Sequence, residues 1–509
     1  MQARTAQDPP PSRASLLAVG ALALGFATLV GYSIAPHGPA GWHFAMNNIA
    51  TADSLLAGRG AYQSREQPFL SWPPLMPALI ALLKLCGLRY VAATFWIAVG
   101  ASFATSYFLA RSVLELSGRL WVACAALAVL AVAPGFLAMM GSTLSQPLFL
   151  ALSAAGVWLL LSWVRAPSRA LEAGLVLTGI ATSLHRYDGV VFAAVTAVVM
   201  ALAPTASPPR ARWGRAAAVA TLSYLPIAAW LVRNRLVSGT WSGVRNPTDM
   251  TLVDQLRDLA LMTGRWLAPD MGVAWLHTLL AAAVVSVTAV WLARELASGR
   301  RWSILAFAGF PIAYGLILAG IASRVEMDRL SDRLATPSAP FLLLLALLAL
   351  SGERAGTREV AGRSIFGRRA LALVAALFVG AHLAWNAPSA IGGVRERRAE
   401  GAGGFASPKW TETDLARWLR SNPLEGRLLS NSPELVLLAA DRMPEHLPTD
   451  GWRERLADRS QPSVLVLGLG RRRDARLLER IRAEFEVRTL AEFEAGGVYR
   501  IEAEGSTPR

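Results

Sequence analysis

GWHFAMNNIATADSLLAGRGAYQSREQPFLSWPPLMP, residues 41–77, is the stretch on which the reading of the fold turns. It follows an uncharged run from Ala14 to Pro36, long enough to cross a hydrocarbon core of about 30 Å at 1.5 Å per residue. That run exceeds the roughly 7 to 15 apolar residues of a cleavable signal, so it is expected to remain as the first membrane helix. Residues 41–77 themselves are too polar to stay in lipid. Within them, His43 to Leu56 places apolar Phe44, Met46, Ile49, Leu55 and Leu56 against polar His43, Asn47, Asn48 and Asp53 at helical period, which suits a helix lying along the interface. Gly58 to Gln67 is a turn-rich connection ending in charge. Pro73 and Pro74 then fix φ and lack an N–H, as a helix start allows, and Trp72 suits the interfacial aromatic belt.

Outward from this stretch the chain repeats one pattern. Its 509 residues are 54% hydrophobic and 17% charged, with a mean hydropathy of +0.39, too apolar for an ordinary soluble domain. Continuous apolar runs exclude a barrel and indicate an all-α polytopic membrane bundle. About eleven spans are expected, near 15–35, 90–110, 120–140, 146–164, 170–184, 189–203, 216–231, 271–293, 302–322, 335–350 and 370–385. The run Leu75 to Leu85 is too short to cross and reads as an interfacial or re-entrant helix. With that assignment the mostly basic connections, around Arg111, Arg165, Arg212, Arg300 and Arg363, fall on one side, as the positive-inside rule requires. The N-terminus is then inside, and residues 41–74, 233–270, 324–336 and everything after Asn386 are outside.

The net charge of +15 is carried almost wholly by arginine, with lysine only at Lys84 and Lys409. It sits in short connections between spans, which marks orientation and not nucleic acid. Cys86 and Cys124 both lie in apolar segments, so neither a disulfide framework nor a cysteine metal site is available. Within the apolar runs only Glu172, His277 and His382 are ionisable, none with a charged partner at helical spacing. A transporter or flippase normally lines its path with such groups, which counts against that class.

Three domains are expected: a transmembrane domain over 1–388 with the outer loop 41–77, a Gly- and Arg-rich linker over 389–407, and a soluble α/β domain over 408–509. In the last, helical patterns at 410–422, 432–442 and 472–485 alternate with strand patterns at RLLSN, SVLVLGLG and GGVYRIE, which implies a small α/β layer. The turn GLGRRR after the second strand lacks a third glycine and reads as a structural strand-to-helix turn.

Polar chemistry gathers in the outer loops. Arg186 and Asp188 sit together at a helix end, either as an anion site or as a pair ordering the turn. Arg324, Asp328, Arg329, Asp332 and Arg333 are spaced so that acids share one helical face and arginines another, a phosphate grip or a self-neutralising network. Arg233, Asn234, Arg235 and Arg245 add a basic strip. The order of motifs, from A-x-x-L-x-x-G-x-G at Ala52 to Gly60, through WPPLMPALIALL, MGSTLSQPLF at 140–149, HRYDG at 185–189 and WLVRN at 230–234, to DRLSDRLATPSAPF at 328–341, resembles the bacterial GT-C membrane glycosyltransferases. It is similar in particular to glycosyltransferase family 39, which includes protein O-mannosyltransferases and aminoarabinose transferases.

The resemblance implies a GT-C bundle and a sugar donor on a polyprenyl phosphate or diphosphate, used on the outer face of a bacterial cell membrane. The acceptor is a glycan, lipid or protein. The implied chemistry is an inverting displacement in which a carboxylate deprotonates the acceptor while cations hold the leaving phosphate. A divalent metal is the one cofactor it leaves open, and no metal ligands are assigned. In the family register the two carboxylate positions fall on Phe44 and Gln146, so the candidate bases are His43, Asp53 and Glu66. Phosphate-binding candidates are Arg186, Arg245, Arg329 and Arg333, with Trp72, Pro73, Pro74, Asp188 and Asp328 supporting the site. The alternative is a non-catalytic lipid-glycan-binding or assembly protein on the same scaffold.

Overall fold

The structure, a computed structural model, describes residues 11–502 apart from 42, 64–66, 134, 206–207, 269–273, 298–300, 327–333, 335, 352–364, 404–406, 449–450, 458–461 and 469–471. It divides into two compact units. The first comprises residues 1–32, 70–75 and 97–395, and the second residues 33–69, 76–96 and 396–509.

In chain order the helices are α1 (Arg13–Ile34), α2 (His43–Leu56), α3 (Leu75–Leu85), α4 (Tyr90–Ser117), α5 (Leu120–Val132), α6 (Phe136–Met140), α7 (Ser145–Arg165) and α8 (Arg169–His185). They continue as α9 (Val190–Leu202), α10 (Pro209–Ser238), α11 (Leu252–Leu267), α12 (Ala274–Leu296), α13 (Arg301–Ala322), α14 (Ala339–Leu350) and α15 (Ile365–Glu400). Among the described residues, seven helices are long and apolar enough to cross a membrane, and the protein is an integral membrane protein. The four other expected spans are helical but shorter, at α5, α8, α9 and α14. Both α2 and α3 begin and end where the apolar periodicity of the sequence begins and ends.

One expectation needs correction, and two connections contain helix. The span expected over 120–140 is broken into α5 and α6: Ala133 is extended at ψ 142°, as a residue before proline prefers, and Gly135 is left-handed at φ 68°. The expected linker 389–407 is helical as far as Glu400, because α15 runs through Pro388 and the Gly392–Gly393 pair. Glycine costs a helix only about 1 kcal/mol relative to alanine, and a long helix already nucleated propagates past such residues. The connection 233–270 contains α11, closed at its start by a capping box between Thr251 and Asp254.

The core of the first unit is aromatic and small-residue packing. Phe149 of α7, Phe192 of α9, Phe310 and Tyr314 of α13 and Phe341 of α14 form a run of rings with centroids 5.6 to 6.2 Å apart. All of α14 except Leu342 is buried. Gly156 lets α7 approach α9, since a Cβ there would lie 2.3 Å from the Phe192 ring. Glu172 is not solitary: it pairs with Arg169 one turn earlier at 2.9 Å and with Arg215 at 3.6 Å. Arg169 was in the sequence at helical spacing, so the expectation of no partner fails. The pair lies in the first turn of α8, and a helix-end ion pair leaves the middle of the span uncharged.

In the second unit a five-stranded sheet is built from β1 (Arg427–Ser430), β2 (Glu445–His446), β3 (Ser463–Gly468), β4 (Val487–Phe493) and β5 (Gly496–Ile501), in the order β2-β1-β3-β5-β4. β1 is parallel to β2 and β3, whereas β5 is antiparallel to β3 and β4. Leu429, Leu465, Leu467 and Tyr499 face a core with Leu477, Ile481 and Trp452. The alternate residues Leu428, Val464, Val466 and Val498 pack with Leu415, Leu419, Leu435 and Val436. Helices therefore cover both faces, which is why SVLVLG is apolar without alternation. The strands β2 and β4 were not apparent in the sequence.

Candidate functional site

The HRYDG motif closes α8. The backbone leaves the helix at Arg186, which is extended at φ −144° and ψ 142°, and returns through a turn that ends on Gly189. A Cβ on Gly189 would lie 2.1 Å from the Thr182 carbonyl oxygen, so only glycine allows so tight a return. This turn buries the Arg186 guanidinium against Asp188. Nε donates to Asp188 Oδ1 at 2.9 Å and Nη2 to Oδ2 at 2.7 Å, a bidentate pair. Nη1 donates to Ser145 Oγ at 2.8 Å, and Asp188 Oδ2 also accepts from the Tyr314 hydroxyl at 2.9 Å. The guanidinium carbon lies 5.5 Å from the ring centroids of both Trp72 and Phe149. Burial works against the charge, but the Asp188 carboxylate outweighs it and holds Arg186 protonated above its ordinary value. His185 is buried too, with Nε2 2.6 Å from the Ser145 carbonyl oxygen.

Tyr187 is the second hub. Its hydroxyl donates to the Leu70 carbonyl at 2.7 Å and accepts from Trp230 Nε1 at 3.2 Å and Asn234 Nδ2 at 3.0 Å. Trp230 and Asn234 are the ends of WLVRN. Asn234 Nδ2 also reaches the Trp241 carbonyl at 3.0 Å, which fixes the chain after α10. Arg245, exposed, donates Nη2 to the Ser71 carbonyl at 3.3 Å. The neighbouring Asn246 donates Nδ2 to Glu326 Oε2 at 3.0 Å. The segment Leu70–Pro74 is thus held from two sides, by Tyr187 and by Arg245. Four of the sequence motifs, WPP, GSTLSQPLF, HRYDG and WLVRN, converge here.

Asp53 belongs to the second unit. It lies on α2, half-exposed, with Oδ1 accepting from the Tyr90 hydroxyl at 2.8 Å and Oδ2 3.8 Å from Arg59 Nη2. Its first oxygen is thus held by a hydrogen bond and its second by the longer contact to Arg59.

The site residues named from sequence separate into three groups. Arg186, Asp188, Trp72, Pro73, Pro74 and Arg245 are brought together in the first unit. Of these, Arg186 is paired with Asp188 in the buried turn. Asp53 stands in the second unit, on the same helix as His43, whose side chain lies outside the described residues. Glu66, Asp328, Arg329, Asp332 and Arg333 also lie outside the described residues. Sequence reasoning missed Ser145, Tyr187, Tyr314 and Tyr90. A signal existed for Tyr314, a tyrosine in the middle of an apolar span, where its hydroxyl must find a partner. Among the described residues no group of three His, Cys, Asp or Glu side chains is placed to hold a metal ion.

No protein-family model matches the sequence, and no curated protein matches it. Solved structures do match. ArnT from Cupriavidus metallidurans bound to undecaprenyl phosphate superposes with a TM-score of 0.60 at 11% identity, covering 96% of this chain and 99% of that one. ArnT in the apo state gives the same TM-score over 94% of this chain and 97% of its own. The arabinofuranosyltransferase AftD from Mycobacteria matches with a TM-score of 0.51 at 15% identity, over 98% of this chain and 42% of that larger one.

Proposed function

We propose that this chain, an all-α membrane bundle of the GT-C fold with a small C-terminal α/β region, is a membrane glycosyltransferase that moves a sugar from a polyprenyl-phosphate-type lipid to an acceptor on the outer face of the membrane. The observation that carries this reading is similarity over nearly the whole of both chains to ArnT, whose structure holds undecaprenyl phosphate. The convergence of four loop motifs around Arg186 and Tyr187 supports it, since a buried bidentate pair and a three-partner hydroxyl preorganise loops as a transferase requires.

In the proposed reaction an acceptor hydroxyl oxygen attacks the anomeric carbon. Its proton passes to the Asp53 carboxylate, the bond from the anomeric carbon to the phosphate oxygen breaks, and polyprenyl phosphate leaves with the electron pair. Asp53 is the preferred base among His43, Asp53 and Glu66 because its half-exposed carboxylate is anchored through one oxygen by Tyr90 and contacts Arg59 through the other only at 3.8 Å. Arg245, taken within the first unit by itself, is a phosphate-binding candidate: its exposed fork donates one N–H to Ser71. Arg329 and Arg333 remain proposed partners in the same role. Arg186, Asp188 and Tyr187 hold loops. The basic connections place the N-terminus inside and the α/β domain outside in this proposal.

The test is transfer in proteoliposomes supplied with labelled polyprenyl-phosphate sugars. Wild type transfers; Asp53→Asn binds donor and does not transfer; Arg245→Ala raises the KM for donor. Full transfer by Asp53→Asn refutes the assigned base, and absence of donor binding by wild type refutes the function. Phe44 and Gln146 at the family's acid positions favour the second reading, a lipid-glycan binder, for which wild type would bind donor without turnover.

A further inference from the structure

We infer that Tyr90 is the positioning residue for the Asp53 carboxylate, and that the C-terminal α/β domain sets Tyr90 through Asp441. The inference rests on the assignment of Asp53 as the base and adds what holds it. All the groups concerned lie within the second unit.

Tyr90 is the first residue of α4 and is 1% exposed. Its two polar ends point to different parts of the chain. The hydroxyl donates to Asp53 Oδ1 at 2.8 Å, and the backbone N–H donates to Asp441 Oδ1 at 2.8 Å. A helix has free N–H groups in its first turn, and here one of them is satisfied by a side chain 351 residues away. The ring between these two bonds is held in place by Lys84, whose ammonium lies 4.3 Å from the ring centroid and is itself bonded to Asp441 Oδ2. Arg89 completes the link, with Nη2 donating to the Ala439 carbonyl at 3.2 Å and Nε 3.9 Å from Asp441 Oδ2.

Asp441 is built for this task. It caps the C-terminal end of the helix Pro433–Ala440 in the left-handed conformation, at φ 53° and ψ 31°. Among the described residues it is the one residue other than glycine with positive φ. Glycine or asparagine would cap such a helix with less strain, and a strained backbone persists where its surroundings over-determine it. The carboxylate provides the reason: it receives the Tyr90 N–H, the Lys84 ammonium and the Arg89 guanidinium. A chain of contacts therefore runs from the α/β domain through one buried tyrosine to Asp53 on α2. With Oδ1 fixed by Tyr90, Asp53 presents Oδ2 in one orientation. Loss of that hydroxyl leaves the carboxylate present with only the longer contact to Arg59 to orient it.

The experiment uses the full chain in proteoliposomes, with rates expressed per donor-binding molecule so that misfolded protein does not count. Tyr90→Phe keeps the ring and removes only the hydroxyl. Its kcat is expected to fall about tenfold, as befits one hydrogen bond to a charged group, with the KM for donor and acceptor unchanged within about twofold. Asp441→Gly keeps the left-handed backbone and removes the carboxylate, and should lower kcat in the same way. Asp441→Asn retains an oxygen for the Tyr90 N–H and should recover part of the loss. Wild-type turnover by Tyr90→Phe, beside an inactive Asp53→Asn, overturns the inference and leaves the base assignment standing. Wild-type turnover by Asp53→Asn removes the base assignment itself. A rise in KM with unchanged kcat for Tyr90→Phe also overturns it, because a positioning residue for the base acts on turnover.

Discussion

Replacing Asp188 by asparagine tests whether the loop architecture rests on the buried pair. Asparagine keeps the volume and one acceptor oxygen but removes the charge opposite Arg186, whose side chain is 3% exposed against 10% for Asp188. Burial disfavours the guanidinium charge and Asp188 is what outweighs it, so the variant is left with a charge in a dry environment and no counter-ion. Removing one partner of a buried pair costs about 3 to 5 kcal/mol, and the retained oxygen toward Tyr314 puts this variant near the lower figure. The double variant Arg186→Met with Asp188→Asn removes both charges, and because an apolar replacement of a buried pair is often close to neutral, it should be more stable than Asp188→Asn by about 1 to 3 kcal/mol. Unfolding in mixed micelles, followed by tryptophan fluorescence, measures both. A loss below about 0.5 kcal/mol for Asp188→Asn, the range of ordinary surface substitutions, would refute the argument. So would a double variant that loses the sum of the two single changes.

Two further outcomes follow from other contacts. Tyr187→Phe removes the hydroxyl shared by Leu70, Trp230 and Asn234; the loss of about 1 to 3 kcal/mol expected for buried partners left unsatisfied should appear as faster hydrogen exchange in residues 70–75, and unchanged exchange there would count against the hub. In the α/β domain, burial first and the Glu492 carboxylate second push the Tyr499 phenol up to about 12. The folded value lies above the ordinary value of 10.0, so the neutral phenol is the form the fold favours: its contribution is complete below pH 10 and is lost as pH rises toward 12. The absorbance difference between wild type and Tyr499→Phe should titrate in that upper window, and titration at 10 would contradict it.

The sequence by itself determined the membrane bundle, because membrane-length apolar runs admit few structures other than helices once backbone groups must pair internally. It also determined the bounds of α2 and α3 and the strands β1, β3 and β5, whose signals lie within a few neighbouring residues. Strand β4 escaped because it is half-exposed, mixes Arg488, Thr489 and Glu492 with its apolar residues, and carries a register shift between Thr489 and Ala491. In α15 glycine and charge read as a linker, and the helix runs on through it to Glu400. Only the tertiary structure decided what the polar residues do. HRYDG could be seen as an Arg next to an Asp, but its commitment to a buried pair depends on Ser145 and on Tyr314, 126 residues from Asp188. Asp53 could be seen as one acid among several, and its orientation depends on Tyr90 and, beyond it, on Asp441. Helix and strand signals are read one turn or one pleat at a time, whereas a hydrogen bond needs its atoms within about 3 Å, a condition that packing alone meets for residues so distant in the chain.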